Sequence, residues 1–184
     1  MTCIIGYADS KNMYIAGDSC GSNGSYFTIR KDDKIFKKGK MLFGYTTSFR
    51  MGQLLQWKLS IPKHQNDIST VEYMNTVFID SIIDCFKKNG YAKIDNNVES
   101  GGNFIVCYQG RVFEIHSDYQ IAEHSKGYSS CGCGYIAALA SFEMAMSCNY
   151  KKSIEYKLKK ALFIASTMIP GVTPPFKVLR MKIK

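Results

Sequence analysis

The chain has 184 residues, 46% hydrophobic and 21% charged, the balance of a globular chain with a sizeable core rather than a disordered or membrane-spanning one. Its formal charge of +9 comes from 24 Lys and Arg against 15 Asp and Glu, but the basic clusters lack the interleaved aromatics of a nucleic-acid-reading motif. Seven cysteines, an odd number without paired Cys-x-x-Cys spacing, fit neither a disulfide framework nor a structural zinc site, so no metal and no cofactor is expected.

The first half alternates short β-like runs with turn residues. Strands are predicted over 2–8, 12–18, 25–30, 33–38 and 40–47, broken by Asp9-Ser10, Gly21-Ser22-Asn23-Gly24 and Gly39. Helices follow over 48–59 and 69–88. In the second, Val71, Met74, Val77, Phe78, Ile82 and Cys85 or Phe86 form one apolar face, with Ser69 or Thr70 as cap. A meander is predicted over 103–109, 111–117 and 119–124, with turns at Gln109-Gly110 and Ser117-Asp118. A turn rich in Ser, Cys and Gly (129–134) precedes a helix over 135–148 carrying Ile136, Leu139, Ala140, Met144 and Met146. A helix over 151–168 places its lysines (151, 152, 157, 159, 160) on a polar side, and a last strand spans 175–183. No run approaches the roughly 20 apolar residues that cross a bilayer, and no secretory signal is evident at the start, so a cytoplasmic protein is expected. Strands, helices, strands, helices and strand form an α+β order, expected as one domain over 1–184 with two stacked antiparallel sheets flanked by helix pairs.

Chemistry is concentrated near the start. Thr2 follows Met1 and opens a strand-like run. A free hydroxyl is a poor nucleophile, but an α-amino group, which titrates near about 7.7–8.0, can take its proton when both belong to one residue. Such a site needs a cation that favours the neutral amine and the developing alkoxide, and a carboxylate that orients the cation. Asp18, in Gly17-Asp18-Ser19, and Lys34, before Ile35-Phe36, are of the required types. They lie 16 and 32 residues beyond Thr2.

That spacing, with Asn12-Met13-Tyr14-Ile15-Ala16-Gly17-Asp18-Ser19, Lys34-Ile35-Phe36 and Met41-Leu42-Phe43-Gly44-Tyr45, resembles the N-terminal threonine hydrolases of the proteasome β-subunit type, including the simpler bacterial ring peptidase. The resemblance runs from Thr2 to about Lys182. It implies a four-layer αββα sandwich, rings of six or seven subunits, a peptide or amide substrate, and a separate ATP-dependent unfoldase as partner. Thr2 would be the nucleophile once Met1 is removed, with Asp18 and Lys34 supporting it. The family's serine before the third helix maps to Cys133 by motif and to Ser130 by distance, and the thiol is the weaker donor.

The oxyanion-hole glycine is replaced by Thr46-Thr47-Ser48, where the Thr47 N–H can still donate. The aspartate and serine that follow the last helix in proteasome subunits are replaced by Ile169-Pro170-Gly171-Val172. Residues expected beside the nucleophile are Cys20, Asp32, Phe36 and Tyr45. The alternative is a catalytically inactive ring or binding subunit, since a retained Met1 turns the amine into an amide. A nucleophilic Cys3 would require loss of both preceding residues. The histidines, His64, His116 and His124, match neither a Gly-x-Ser-x-Gly elbow nor a His-Glu-x-x-His metal spacing.

Overall fold

A computed structural model describes residues 1–96, 98–148 and 150–183. Two antiparallel sheets carry the fold. The first has the order β12-β1-β2-β13, built from β1 (Cys3–Ala8), β2 (Asn12–Gly17), β12 (Tyr128–Gly132) and β13 (Lys177–Lys182). The second has the order β11-β10-β9-β6-β5, from β5 (Ile35–Lys38), β6 (Met41–Tyr45), β9 (Phe104–Tyr108), β10 (Arg111–Ile115) and β11 (Ile121–Glu123). Two small hairpins, β3 (Cys20–Ser22) with β4 (Phe27–Ile29) and β7 (Lys93–Asp95) with β8 (Val98–Ser100), complete the strands.

Both faces of β1, β2, β6 and β9 are buried, which explains why their sequences read as apolar runs rather than alternations. Ile4, Ile15, Leu42, Ile105 and Val112 form one apolar cluster with side chains from both sheets. Cys3, Ile5 and Tyr14 instead join Phe142, Leu158 and Leu162 of α4 (Tyr135–Ser147) and α5 (Ile154–Met168). Phe43, Phe104 and Phe113 of the second sheet pack with Leu54 of α1 (Phe49–Trp57) and with Phe78, Ile82 and Phe86. No helix among the described residues is long and apolar enough to cross a membrane.

Serine hydroxyls accept from free N–H groups at the start of three of the helices: Ser48 from Arg50 N at 3.1 Å, Ser69 from Glu72 N at 3.1 Å and Ser153 from Tyr156 N at 3.2 Å. The stretch predicted as one helix over 69–88 is α2 (Thr70–Tyr73), a π-helical turn (Met74–Phe78) and α3 (Ile79–Lys88). The wider turn rotates the residues before it, so Tyr73 is buried where the 3.6-residue period selects Val71, which is exposed.

Four strands escape the sequence reading: β3, the two strands of the β7–β8 hairpin, and β12. The last is the consequential one. Its residues, Tyr-Ser-Ser-Cys-Gly, have turn composition, yet pairing of Gly132 through Tyr128 with Cys3 through Tyr7 draws them into the first sheet. Of the apolar residues named in α4, Ile136, Ala140 and Met144 are exposed, while Ala138 and Phe142 occupy its inner face. One side-chain expectation is corrected as well. Lys157 is buried in α5 rather than lying on a polar side.

Candidate active site

The site assembles where five chain segments end together. Thr2 leads into β1, Asp18 follows β2, Lys34 precedes β5, Thr46–Ser48 follow β6, and Cys133 follows β12. Strand register fixes this coincidence: β1 pairs Ile4 with Gly17 of β2 and Cys3 with Gly132 of β12.

Lys34 and Asp18 form a buried pair, with side chains 2% and 0% exposed. Lys34 Nζ lies 3.0 Å from each carboxylate oxygen of Asp18 and 2.9 Å from Thr2 Oγ1. Asp18 Oδ1 also accepts from Cys3 N at 2.8 Å and Oδ2 from Cys20 N at 2.9 Å, so the carboxylate is held by two backbone donors besides the ammonium. A buried charge is tolerated only with such pairing.

The bond between Met1 and Thr2 lies within this cluster. Thr2 Oγ1 donates to Met1 O at 2.5 Å, and Lys34 Nζ donates to the same oxygen at 3.2 Å. Thr2 N–H donates to Cys133 Sγ at 3.2 Å, and the thiol donates to Thr2 O at 3.3 Å. Gly132 makes this approach possible. Its φ of +95° is left-handed, and a Cβ there would fall 2.3 Å from Thr2 O.

Of the two residues that sequence offers for the serine of the turn, Cys133 is at the Thr2 nitrogen and Ser130 is not. Ser130 is fully buried in β12 and donates to Ile4 O at 2.6 Å. Counting distance along the chain fails here because the segment is a strand whose side chains alternate. Cys3 is buried, and burial pushes its thiol up to about 12, which leaves it an unreactive thiol.

A cavity of about 140 Å³ opens over Thr2, lined by Lys34, Tyr45, Thr47, Phe49 and Cys133 among others. Thr47 has a φ of +59°, a left-handed conformation costly for a β-branched residue. Its hydroxyl partly offsets this by accepting from Asn103 N at 3.1 Å. Its N–H makes no hydrogen bond with the described residues.

Of the residues expected beside the nucleophile, only Tyr45 lines the cavity. Burial raises its phenol to about 12. Phe36 stacks on Phe43 in the core, Cys20 is buried, and Asp32 is turned to the guanidinium of Arg30. Phe49 and Ser22 line the cavity without having been singled out by sequence. Phe49 carries the Arg30 guanidinium 3.9 Å from its ring centroid, a contact that leaves no periodic or motif signal.

The fold is that of the proteasome-type N-terminal-nucleophile hydrolases, and the solved structures most informative about it match nearly end to end. Thiobacillus denitrificans BPH aligns over 100% of this chain and 99% of its own, with a TM-score of 0.81 at 17% identity. The same protein in complex with epoxomicin aligns over 99% of both chains, at a TM-score of 0.79 and 14% identity. Eukaryotic HslV from Trypanosoma brucei covers 98% of this chain and 99% of its own at 0.68 and 16%. Anbu, the ancestral beta-subunit from Yersinia bercovieri, covers 99% and 87% at 0.64 and 12%. At these identities the likeness establishes the fold. No family model and no curated protein matches the sequence.

Proposed function

We propose that the protein is a proteasome-like threonine hydrolase that cleaves peptide or amide bonds with Thr2 as nucleophile once the Met1–Thr2 bond is cut. The observation that carries this is Lys34 Nζ, 2.9 Å from Thr2 Oγ1 and 3.0 Å from both oxygens of a buried Asp18. Thr2 Oγ would attack the substrate carbonyl carbon while its proton passes to the freed α-amine. The oxyanion takes the unengaged N–H of Thr47. Collapse expels the leaving amine, which recovers the proton from the α-amine, and leaves an ester on Thr2. Water, deprotonated by the same amine, hydrolyses that ester. Lys34 keeps positive charge beside the developing alkoxide, Asp18 fixes Lys34, and Cys133 orients the amine.

The architecture we propose is a four-layer αββα sandwich over 1–184. The three apolar clusters support it, one drawing on both sheets and one between each sheet and its helices. Assembly into a homo-oligomeric ring, a separate ATP-driven unfoldase and a cytoplasmic setting belong to this reading by the likeness of fold. The alternative, a non-catalytic ring subunit, is favoured by the thiol in place of a hydroxyl at Cys133 and by the strained Thr47. The two readings separate on one comparison: protein with Thr2 as its first residue should hydrolyse short acyl-peptide reporters, and Thr2→Ala should lower the rate by about a thousandfold or more. Equal rates would refute the enzymatic reading.

A further inference from the structure

A second cavity, of about 230 Å³, lies far from Thr2, between the C-terminal half of α4 and the first turns of α5. Its α4 lining, Ser141 to Cys148, lies roughly 10–20 Å along the helix from Tyr135, at the nucleophile end. Met144, Ala145, Ala161 and Ile164 make apolar walls. Lys157 is part of the lining, yet it is only 8% exposed. Among the described residues its ammonium meets only Met146 Sδ, at 3.7 Å, and a thioether is a weak acceptor. The two acidic residues of these helices are engaged elsewhere, Glu143 with Lys126 and Glu155 with Arg180. Lys160 adds a second cation to the lining. A buried ammonium without a carboxylate is costly unless an anion completes it.

We propose that this cavity binds a carboxylate carried on a short apolar tail, with the head group paired to Lys157 and the tail against Met144, Ala161 and Ile164. The same chemistry occurs in a free short-chain acid and in the last residue of a peptide ending in an apolar side chain. Neither involves the Thr2 site, so the proposal stands or falls separately from the hydrolase reading.

Cys148, an exposed cysteine lining this cavity, supplies the readout, and Cys133, the other exposed cysteine, the internal control. Hexanoate, or a peptide ending in leucine with a free carboxyl, should slow alkylation of Cys148, and hexanoate should leave Cys133 unchanged, as followed by peptide mass spectrometry. Hexanamide and the amidated peptide should not. Protection by hexanoate assigns the site to a free acid; protection by the peptide alone assigns it to a chain terminus. Lys157→Met should weaken binding about tenfold or more, the loss expected for one charge-assisted hydrogen bond. Ala145→Leu, which fills part of the cavity from its wall while sparing the lysine, should weaken it too if Lys157→Met folds poorly. Absence of protection by both acids, equal protection by the amides, or undiminished binding in the variants would overturn the proposal.

Discussion

Cys133 Sγ sits 3.2 Å from Thr2 N, so the group beside the proposed base is a thiol rather than a hydroxyl. Cys133→Ser should keep or raise the hydrolysis rate, since a hydroxyl is the stronger hydrogen-bond partner. Cys133→Ala should lower kcat/KM by up to about tenfold, the loss expected for one hydrogen bond. Because the thiol is exposed in the cavity, iodoacetamide should inactivate the wild type and spare Cys133→Ser. Initial rates on one acyl-peptide reporter test all three.

Thr47 holds a left-handed φ of +59°. Thr47→Gly relieves strain of roughly 1–2 kcal/mol and loses the hydroxyl that accepts from Asn103 N, a bond worth about 0.5–1.5 kcal/mol. Stability should therefore change by less than about 1 kcal/mol in urea unfolding. The rate should rise, because the side chain beside the N–H is gone while the N–H stays.

Lys34→Met leaves Asp18 as an uncompensated buried charge. Urea denaturation should show a loss of about 3–5 kcal/mol. The double variant Lys34→Met, Asp18→Asn should recover part of it, because the amide oxygen still accepts from Cys3 N and the charge is gone. Hydrolysis should be absent from both.

Stability should fall on the alkaline side. Burial raises the thiols of Cys3 and Cys107 from 9.0 to about 12 and the phenols of Tyr45, Tyr73 and Tyr119 from 10.0 to about 12. Each folded-state value lies above its unfolded one, so the folded chain keeps protons that the unfolded chain has released. Their contribution is complete below about pH 9 and is lost as pH rises towards about 12. Thermal unfolding followed across that window should show a falling Tm, with a smaller fall in Cys107→Ala.

Thr2, Asp18 and Lys34, which the fold brings into contact, were legible in the sequence because their types and separations match those of the family the chain resembles. The strands of the second sheet were legible from apolar runs between turn signals. What stayed hidden depended on partners distant in sequence. β12 reads as a turn until β1 pairs with it, so Ser130 could not be separated from Cys133. The π turn at Met74–Phe78 leaves the apolar pattern nearly helical while exposing Val71. Lys157 belongs to a run of lysines whose period suits a wet face, and only packing against α4 buries it. The Arg30–Phe49 contact spans nineteen residues without a repeating pattern.

The most direct test is to trap the acyl intermediate. Protein prepared with Thr2 as its first residue should be incubated with an activated acyl-peptide ester, quenched in acid and digested for mass spectrometry. An acyl group on the N-terminal peptide, lost in Thr2→Ala and absent when Met1 is retained, is the result expected. Acylation that persists in Thr2→Ala, or turnover by the Met1-bearing chain at the same rate, would contradict it.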